Sequence, residues 1–375
     1  EARSRSNQTP LPGDTMKDTR KVTSIAFGVV LTAILSAGFR YEQMPIGRFS
    51  NIYLYNDLLL ISDEHYGIHV YSVADKGNPF LRVQIPLSGN TGCAMKDNVI
   101  YANSYDGILA LTIDADGSWD TAKVIRNRSE CCMGNDIIER PSFPLFACRG
   151  PVAYEDVSSG GGTGGSYAVF AVIDTFLYYL DYSEIVTMSI RDPADPVELT
   201  RTYVDWGAET LFPTGRFLFV GGSQGMYVMD RGDPRQPVLI AAMQHWQSCD
   251  PVVVEGDYAY VTLRSGNTCG TSRDALLVVD IKNPEQPTLV CDKAIATPYG
   301  LTVRDSLLYV SNGYGGFTLF DISKPASPQA LERWTDKDTK DFIWDNDVLY
   351  VMAFTEVRLY DVGDAAQPVA IATID

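Results

Sequence analysis

Seven times along the chain the same alternation of apolar and polar positions returns. A polar turn leads into a short apolar run with a large residue, most often tyrosine, near its centre. A glycine-containing turn follows, then a second apolar run ending in Asp-Ile or a close variant, then a proline-rich link. The clearest copies read EGDYAYVT…ALLVVDIKNPEQPTL, RDSLLYVSNGYGGFTLFDISKPASPQA and DNDVLYVMAFTEVRLYDVGDAAQPVAI. Fainter ones are NDLLLISDEHYGIHVYSVADKGNPF, KDNVIYANSYDGILALTI, IDTFLYYLDYSEIVTMSIRDPADPV and TGRFLFVGGSQGMYVMDRGDPRQPV.

The equivalent central positions are Leu60, Tyr101, Tyr178, Phe219, Tyr260, Tyr309 and Tyr350, separated by 41, 77, 41, 41, 49 and 41 residues. Forty-one residues fit one blade of four short strands. The two longer spacings are one blade plus an insertion. No copy has room for an apolar stripe at helical spacing, which excludes a helical solenoid. β-branched and aromatic residues in LLYV and YAYV favour strand and alternate between its faces. The pattern therefore predicts an all-β chain, a seven-bladed β-propeller with four-stranded antiparallel blades over residues 44–375. Glycine turns at Tyr314-Gly315-Gly316 and Ser223-Gln224-Gly225 are expected to supply positive φ between adjacent strands. Ring closure is expected to pair the C-terminal QPVAIATID with residues around 44–54.

Three segments stand outside the repeat. Residues 122–165 form an inserted loop, expected to end in a mobile glycine tip, SSGGGTGGS at 158–166. Residues 264–273, RSGNTCGTSR, form a shorter insertion. Residues 1–43 are an N-terminal extension whose hydrophobic segment, 22–38, follows the basic start Met16-Lys17-Asp18-Thr19-Arg20-Lys21. That arrangement resembles a secretory signal or membrane anchor, and equally suits a folded mature segment. Its end, Leu35-Ser36-Ala37-Gly38, departs from a bacterial lipobox at the position of the acylated cysteine.

Charge narrows the choice of partners. Forty-seven acidic residues face 30 basic ones, a formal −17, with no basic cluster interleaved with aromatics, so a nucleic-acid partner is excluded. Seven cysteines lack metal-ligand spacing. Cys249 and Cys269 bracket one hairpin and are the best disulfide candidates; Cys148 has Cys131 or Cys132 as its candidate partner. Buried free thiols are the alternative. Asp114, Asp116 and Asp120 in DADGSWD surround a glycine turn, either an ordinary Asp-Gly turn or a weak calcium site, calcium being the sole cofactor the sequence suggests. His65 and His69 lie four apart in a blade turn and strand, where structural roles are expected. His245 and Trp246 are candidates for a binding face. No serine sits in a nucleophile elbow, so histidine-based nucleophilic catalysis is not expected.

The phrases ALLVVDI, GFTLFDIS and EVRLYDV resemble the LVIVD repeat. SCDPVVVEGDYAYVTLRSGNTCG followed by TPYGLTVRDSLLYVSNG resembles a group of LVIVD-repeat proteins common in Bacteroidota, with the likeness extending over about residues 45–370. The resemblance implies a β-propeller placed outside the cytoplasm, extracellular, on the outer-membrane surface or periplasmic in a Gram-negative bacterium, commonly as a lipoprotein. It carries no catalytic residues. The function expected is a non-catalytic binding or scaffold propeller, an accessory subunit whose partners are other envelope or surface proteins, with membrane association through the N-terminal segment or a partner. Its rival is a polysaccharide lyase or glycoside hydrolase using carboxylates at the channel mouth. A third reading makes the chain a structural subunit of a surface filament.

Overall fold

The computed structural model describes residues 47–105, 107–126, 162–244, 251–266 and 273–375. The extension 1–43 with its segment 22–38, most of the inserted loop, and Cys131, Cys132, Cys148, His245, Trp246, Cys249 and Cys269 lie outside them. Among the described residues no helix is long and apolar enough to cross a membrane.

Seven sheets form in chain order, each from four consecutive antiparallel strands joined by tight turns. Blade 1 holds Phe49–Tyr55, Leu58–Asp63, Gly67–Ser72 and Phe80–Ile85. Blade 2 runs from Cys93–Lys96 to Trp119–Arg126, and blade 3 from Phe170–Ile173 to Val197–Tyr203. Blades 4 to 7 span Ala208–Gln244, Val252–Ala294, Leu301–Trp334 and Asp341–Ile374. The first strands contact one another in a closed ring, while fourth strands such as Gln329–Trp334 are largely exposed at the rim. The fold is a seven-bladed β-propeller. Because blade 2 ends at Arg126, its fourth strand takes the first five residues assigned above to the inserted loop.

Local chemistry explains the regularity. The first hairpin turn of each blade opens with a residue at φ between 46° and 55°, and that residue is Asn, Asp or Gly, the types that tolerate it. Each third strand meets its fourth through a β-bulge, which adds twist and bends the rim strand. The closing aspartate of the repeat ends the third strand: Asp230, Asp280, Asp321 and Asp361 each accept the backbone N–H two residues on, at 2.7–3.0 Å. Gly225 does not have the positive φ expected of it. Its role is close approach, since a Cβ there would stand 2.4 Å from the Met243 carbonyl oxygen.

The central repeat residue lies in the second strand of every blade and is at most 2% exposed. Its hydroxyl explains the preference for tyrosine over phenylalanine. Tyr101 donates to the Pro193 carbonyl at 2.9 Å and Tyr178 to that of Pro234 at 2.7 Å; Tyr309 donates to Ala365. Each acceptor lies in the turn between third and fourth strands of the next blade, so tyrosine and turn together peg one blade to its neighbour. Blade 2 has Asp114–Gly117 in place of a proline turn, and the preceding blade carries Leu60.

Closure differs from the expectation. The C-terminal strand Val369–Ile374 pairs with Val357–Asp361 of its own blade. The inner edge of Phe49–Tyr55 is taken by Thr163–Gly164. Blades 7 and 1 are joined like any other neighbours, by apolar packing of Ile343, Tyr350 and Leu359 against Ile52, Leu59 and Ile61. The Phe49 N–H also donates to the Phe354 carbonyl at 2.9 Å. Apolar packing between whole blades closes the ring without strand exchange.

Candidate functional site

The second-to-third-strand turns and the links between blades lie on one face of the disc, called upper here; the remaining turns form the lower face. The lower face is acidic and proline-rich. Among the described residues, six of its seven first-hairpin turns carry Asp57, Asp97, Asp174, Asp257, Asp305 or Asp347. Among the described residues the four most exposed large apolar side chains, Tyr105, Tyr182, Trp206 and Tyr314, all stand on the upper face at 72–82% exposure.

Residues 162–168, GTGGSYA, run along the axis. Thr163–Gly164 pairs antiparallel with Tyr53 and Leu54, and Gly165 donates its N–H to the Ile52 carbonyl at 3.1 Å. Asn51 Nδ2 donates to the Tyr167 carbonyl at 2.6 Å, and the Leu211 N–H to that of Ala168 at 2.7 Å. Ser166 Oγ accepts from the Leu301 N–H at 3.0 Å and donates to Asp341 Oδ1 at 2.6 Å. The Ser166 and Tyr167 N–H groups also donate to Asp341, each at 3.1 Å. One short segment thus bonds to the inner strands of blades 1, 4, 6 and 7, which places it on the propeller axis. Glycine makes this approach feasible: a Cβ at Gly165 would stand 2.2 Å from Asp341 Oδ2, and one at Gly162 2.4 Å from the Leu54 carbonyl oxygen. The expected mobile tip is overturned for residues 162–166; residues 158–161 lie outside the described set.

Asp341 is 0% exposed, and burial pushes its carboxyl up to about 6 against the lowering effect of its hydrogen bonds. Beside it, burial brings Lys340 down to about 8, with Glu64 opposing and Arg48 reinforcing that shift. Lys340 Nζ donates to the Phe49 carbonyl at 2.7 Å and lies 5.9 Å from the Tyr167 ring centre. The Arg264 guanidinium stands 4.2 Å over the Tyr299 ring. Burial pushes Glu209 up to about 7, opposed by the positive charge of Arg264. The upper mouth therefore gathers charged groups of both signs, Arg48, Lys340 and Arg264 with Glu64 and Glu209.

The sites expected from sequence are dispersed. Asp116 accepts both the Ser118 N–H at 2.9 Å and its hydroxyl at 2.6 Å, and these bonds lower its pKa. Asp114 accepts the Ser118 hydroxyl at 3.2 Å, whereas Asp120 turns to the Thr121 N–H at 2.7 Å. The three carboxylates form an ordinary turn, and among the described residues no acidic, histidine or cysteine cluster suits a metal ion. His65 is exposed, while His69 is buried 3.6 Å from Asp63 and its pKa is lowered by that burial. Asp63 organises the adjoining turn, accepting the N–H groups of Gly47, His65 and Tyr66 at 2.7, 2.8 and 3.1 Å. Cys93 and Cys291 are free thiols; burial pushes Cys93 up to about 12, the opposite of an activated nucleophile.

Sequence reading passed over Asp341, Ser166, Lys340, Arg264 and Glu209. One signal was present. The residue nine before the central position is Asn51, Gly92, Val169, Thr210, Pro251, Gly300 or Asp341 across the blades, and Asp341 is the charged one.

Fold and site together define a seven-bladed β-propeller with an occupied axis and two chemically distinct faces. The chain contains LVIVD repeats, matched at residues 248–292 and 300–336, which cover blades 5 and 6. No curated protein sequence matches it. In fold it is similar to a protein from Lactobacillus plantarum, at 15% identity over 88% of this chain and 96% of that one, TM-score 0.58. It is also similar to the periplasmic gluconolactonase of Pseudomonas aeruginosa, at 10% identity over 87% and 96%, TM-score 0.54. The computationally designed Ika8 protein is a third, at 12% identity over 87% of both chains, TM-score 0.54. These similarities establish the fold alone.

Proposed function

We propose that this protein is a non-catalytic binding propeller, an accessory subunit of a cell-envelope or surface assembly, acting outside the cytoplasm of a Gram-negative bacterium. The observation that carries this reading is the occupied axis. A propeller enzyme assembles reactive side chains from several inner strands around an open channel. Here the buried inner-strand carboxylate, Asp341, faces three donors of the protein's own axial segment. The upper face carries exposed aromatics on short turns, the side-chain types enriched in binding surfaces. The LVIVD-repeat likeness supports the envelope setting. The test is chemical crosslinking in the native host followed by mass spectrometry of the purified complex and of the intact chain. Crosslinks from the upper face to a stoichiometric envelope protein are expected; a chain recovered without a partner refutes the reading.

A second reading has its own observation behind it. Glu209, raised to about 7, and Lys340, lowered to about 8, both lie in the field of Arg264, and shifted acid and base groups at a mouth suit a polysaccharide lyase or glycoside hydrolase. Turnover of any member of a glycan panel, lost in Glu209→Gln or Lys340→Met while folding is retained, would establish it over the first.

A further inference from the structure

Tyr105 and Tyr182 occupy the same repeat position, four residues after the central tyrosine, in adjacent blades 2 and 3. Trp206 stands on the link from blade 3 to blade 4. The three form an arc of exposed aromatics over consecutive blades. None is needed for the core at 72–82% exposure. Each is nevertheless held. The Tyr105 ring lies on Gly89, where a Cβ would come within 2.8 Å of it. The loop beneath is fixed by Asn103 Oδ1, which accepts the Thr91 and Gly92 N–H groups at 3.0 Å. Tyr182 has φ 55°, a left-handed conformation uncommon for an aromatic residue. Next to Trp206, Ser223 donates its hydroxyl to the Trp206 carbonyl at 3.2 Å and its N–H to that of Gly207 at 2.9 Å.

We propose that Tyr105, Tyr182 and Trp206 form a three-platform track for an uncharged polysaccharide chain. Tyr105 and Tyr182 stand one blade repeat apart and Trp206 follows on the next link, so the matching ligand is a polymer that presents flat units repeatedly. Pyranose rings do so: their C–H faces carry slight positive charge and stack on the negative face of an aromatic ring. The bonds that fix the backbone beneath Tyr105 and Trp206 limit the freedom lost on binding. Stacked nucleotides fit less well, since they need an electropositive groove and this chain carries −17. Beside Tyr182 three carboxylates, Asp181, Glu184 and Glu198, surround the single cation Arg201, an excess of negative charge that disfavours an acidic polysaccharide.

The inference rests on reading the disc as a binding module, and the experiment separates the two. Affinity electrophoresis of the full chain would run in gels containing mixed-linkage β-glucan, xyloglucan, galactomannan or dextran, with alginate and polygalacturonate as acidic counterparts. At least one neutral polysaccharide is expected to retard the protein. Trp206→Ala, Tyr105→Ala and Tyr182→Asn, the last chosen because Asn tolerates the backbone, should each weaken binding tenfold or more. Phe80→Ala, an exposed rim residue, should leave it unchanged. Circular dichroism checks that each variant is folded. Absence of retardation in every neutral gel, wild-type binding by the three track variants, or retardation by acidic polymers only overturns the track. Product release from a retarding polysaccharide would leave the track standing and refute the non-catalytic reading instead.

Discussion

Ser166→Ala probes the axial segment with the loss of a single oxygen. That oxygen donates to the buried Asp341 carboxylate at 2.6 Å and accepts the Leu301 N–H at 3.0 Å. A hydrogen bond to a charged group contributes about 1.5–3 kcal/mol, and stranding a buried N–H costs about 1–3 kcal/mol. The two effects share one atom and overlap, so the expected loss is about 3–4 kcal/mol, a large part of the stability of an ordinary domain. Urea unfolding followed by tryptophan fluorescence measures it, and Ser118→Ala on the exposed lower turn serves as control, expected within about 0.5 kcal/mol of wild type. Combining Ser166→Ala with Asp341→Asn should give less than the sum of the single losses, by at least about 1 kcal/mol. A Ser166→Ala protein as stable as the control would refute the argument that residues 162–168 are part of the folded core.

Other consequences follow from the same structure. Tyr178→Phe removes the bond to Pro234 and should cost about 1 kcal/mol, whereas Tyr350→Phe should be neutral or stabilising because its buried hydroxyl has no partner; denaturant midpoints compare them. Asp341, raised from 3.8 to about 6, binds its proton more tightly folded than unfolded. Its contribution therefore favours folding most below about pH 4 and declines as pH rises through 6, by about 3 kcal/mol in all. Midpoints measured from pH 4 to 7 should show a decline that Asp341→Asn lacks. Cys249 and Cys269 are expected to be joined, so non-reducing peptide mapping should recover them as one linked pair; both alkylated in the native protein would reject the link.

The ring was legible because its information is periodic. A residue recurring at 41 positions, or at 41 plus an insertion, always in the second strand and always buried, survives any uncertainty about one copy. Closure was not legible, since strand exchange and simple packing place the same apolar residues at the junction. The axial segment was misread for a physical reason. A run such as GGTGGS has two meanings, freedom of the chain or room for another backbone, and only the neighbours decide. At Gly165 the neighbour is Asp341, 176 residues away in sequence. The DADGSWD aspartates fitted either an ordinary turn or an ion from local composition, and in the structure Ser118 bonds to two of them. Tyr105, Tyr182 and Trp206 carry no distinguishing signal in the sequence; their turns and link place them on one face.

The most direct test of the account is hydroxyl-radical footprinting of the protein in its native assembly against the purified chain, read residue by residue by mass spectrometry. A propeller that binds through its upper face should show protection at Tyr182, Trp206 and Tyr314 in the assembly. Rim residues such as Phe80 and Val369 should label equally in both states. Protection confined to the rim or the acidic lower turns, with the upper aromatics labelled as in the free chain, would contradict it.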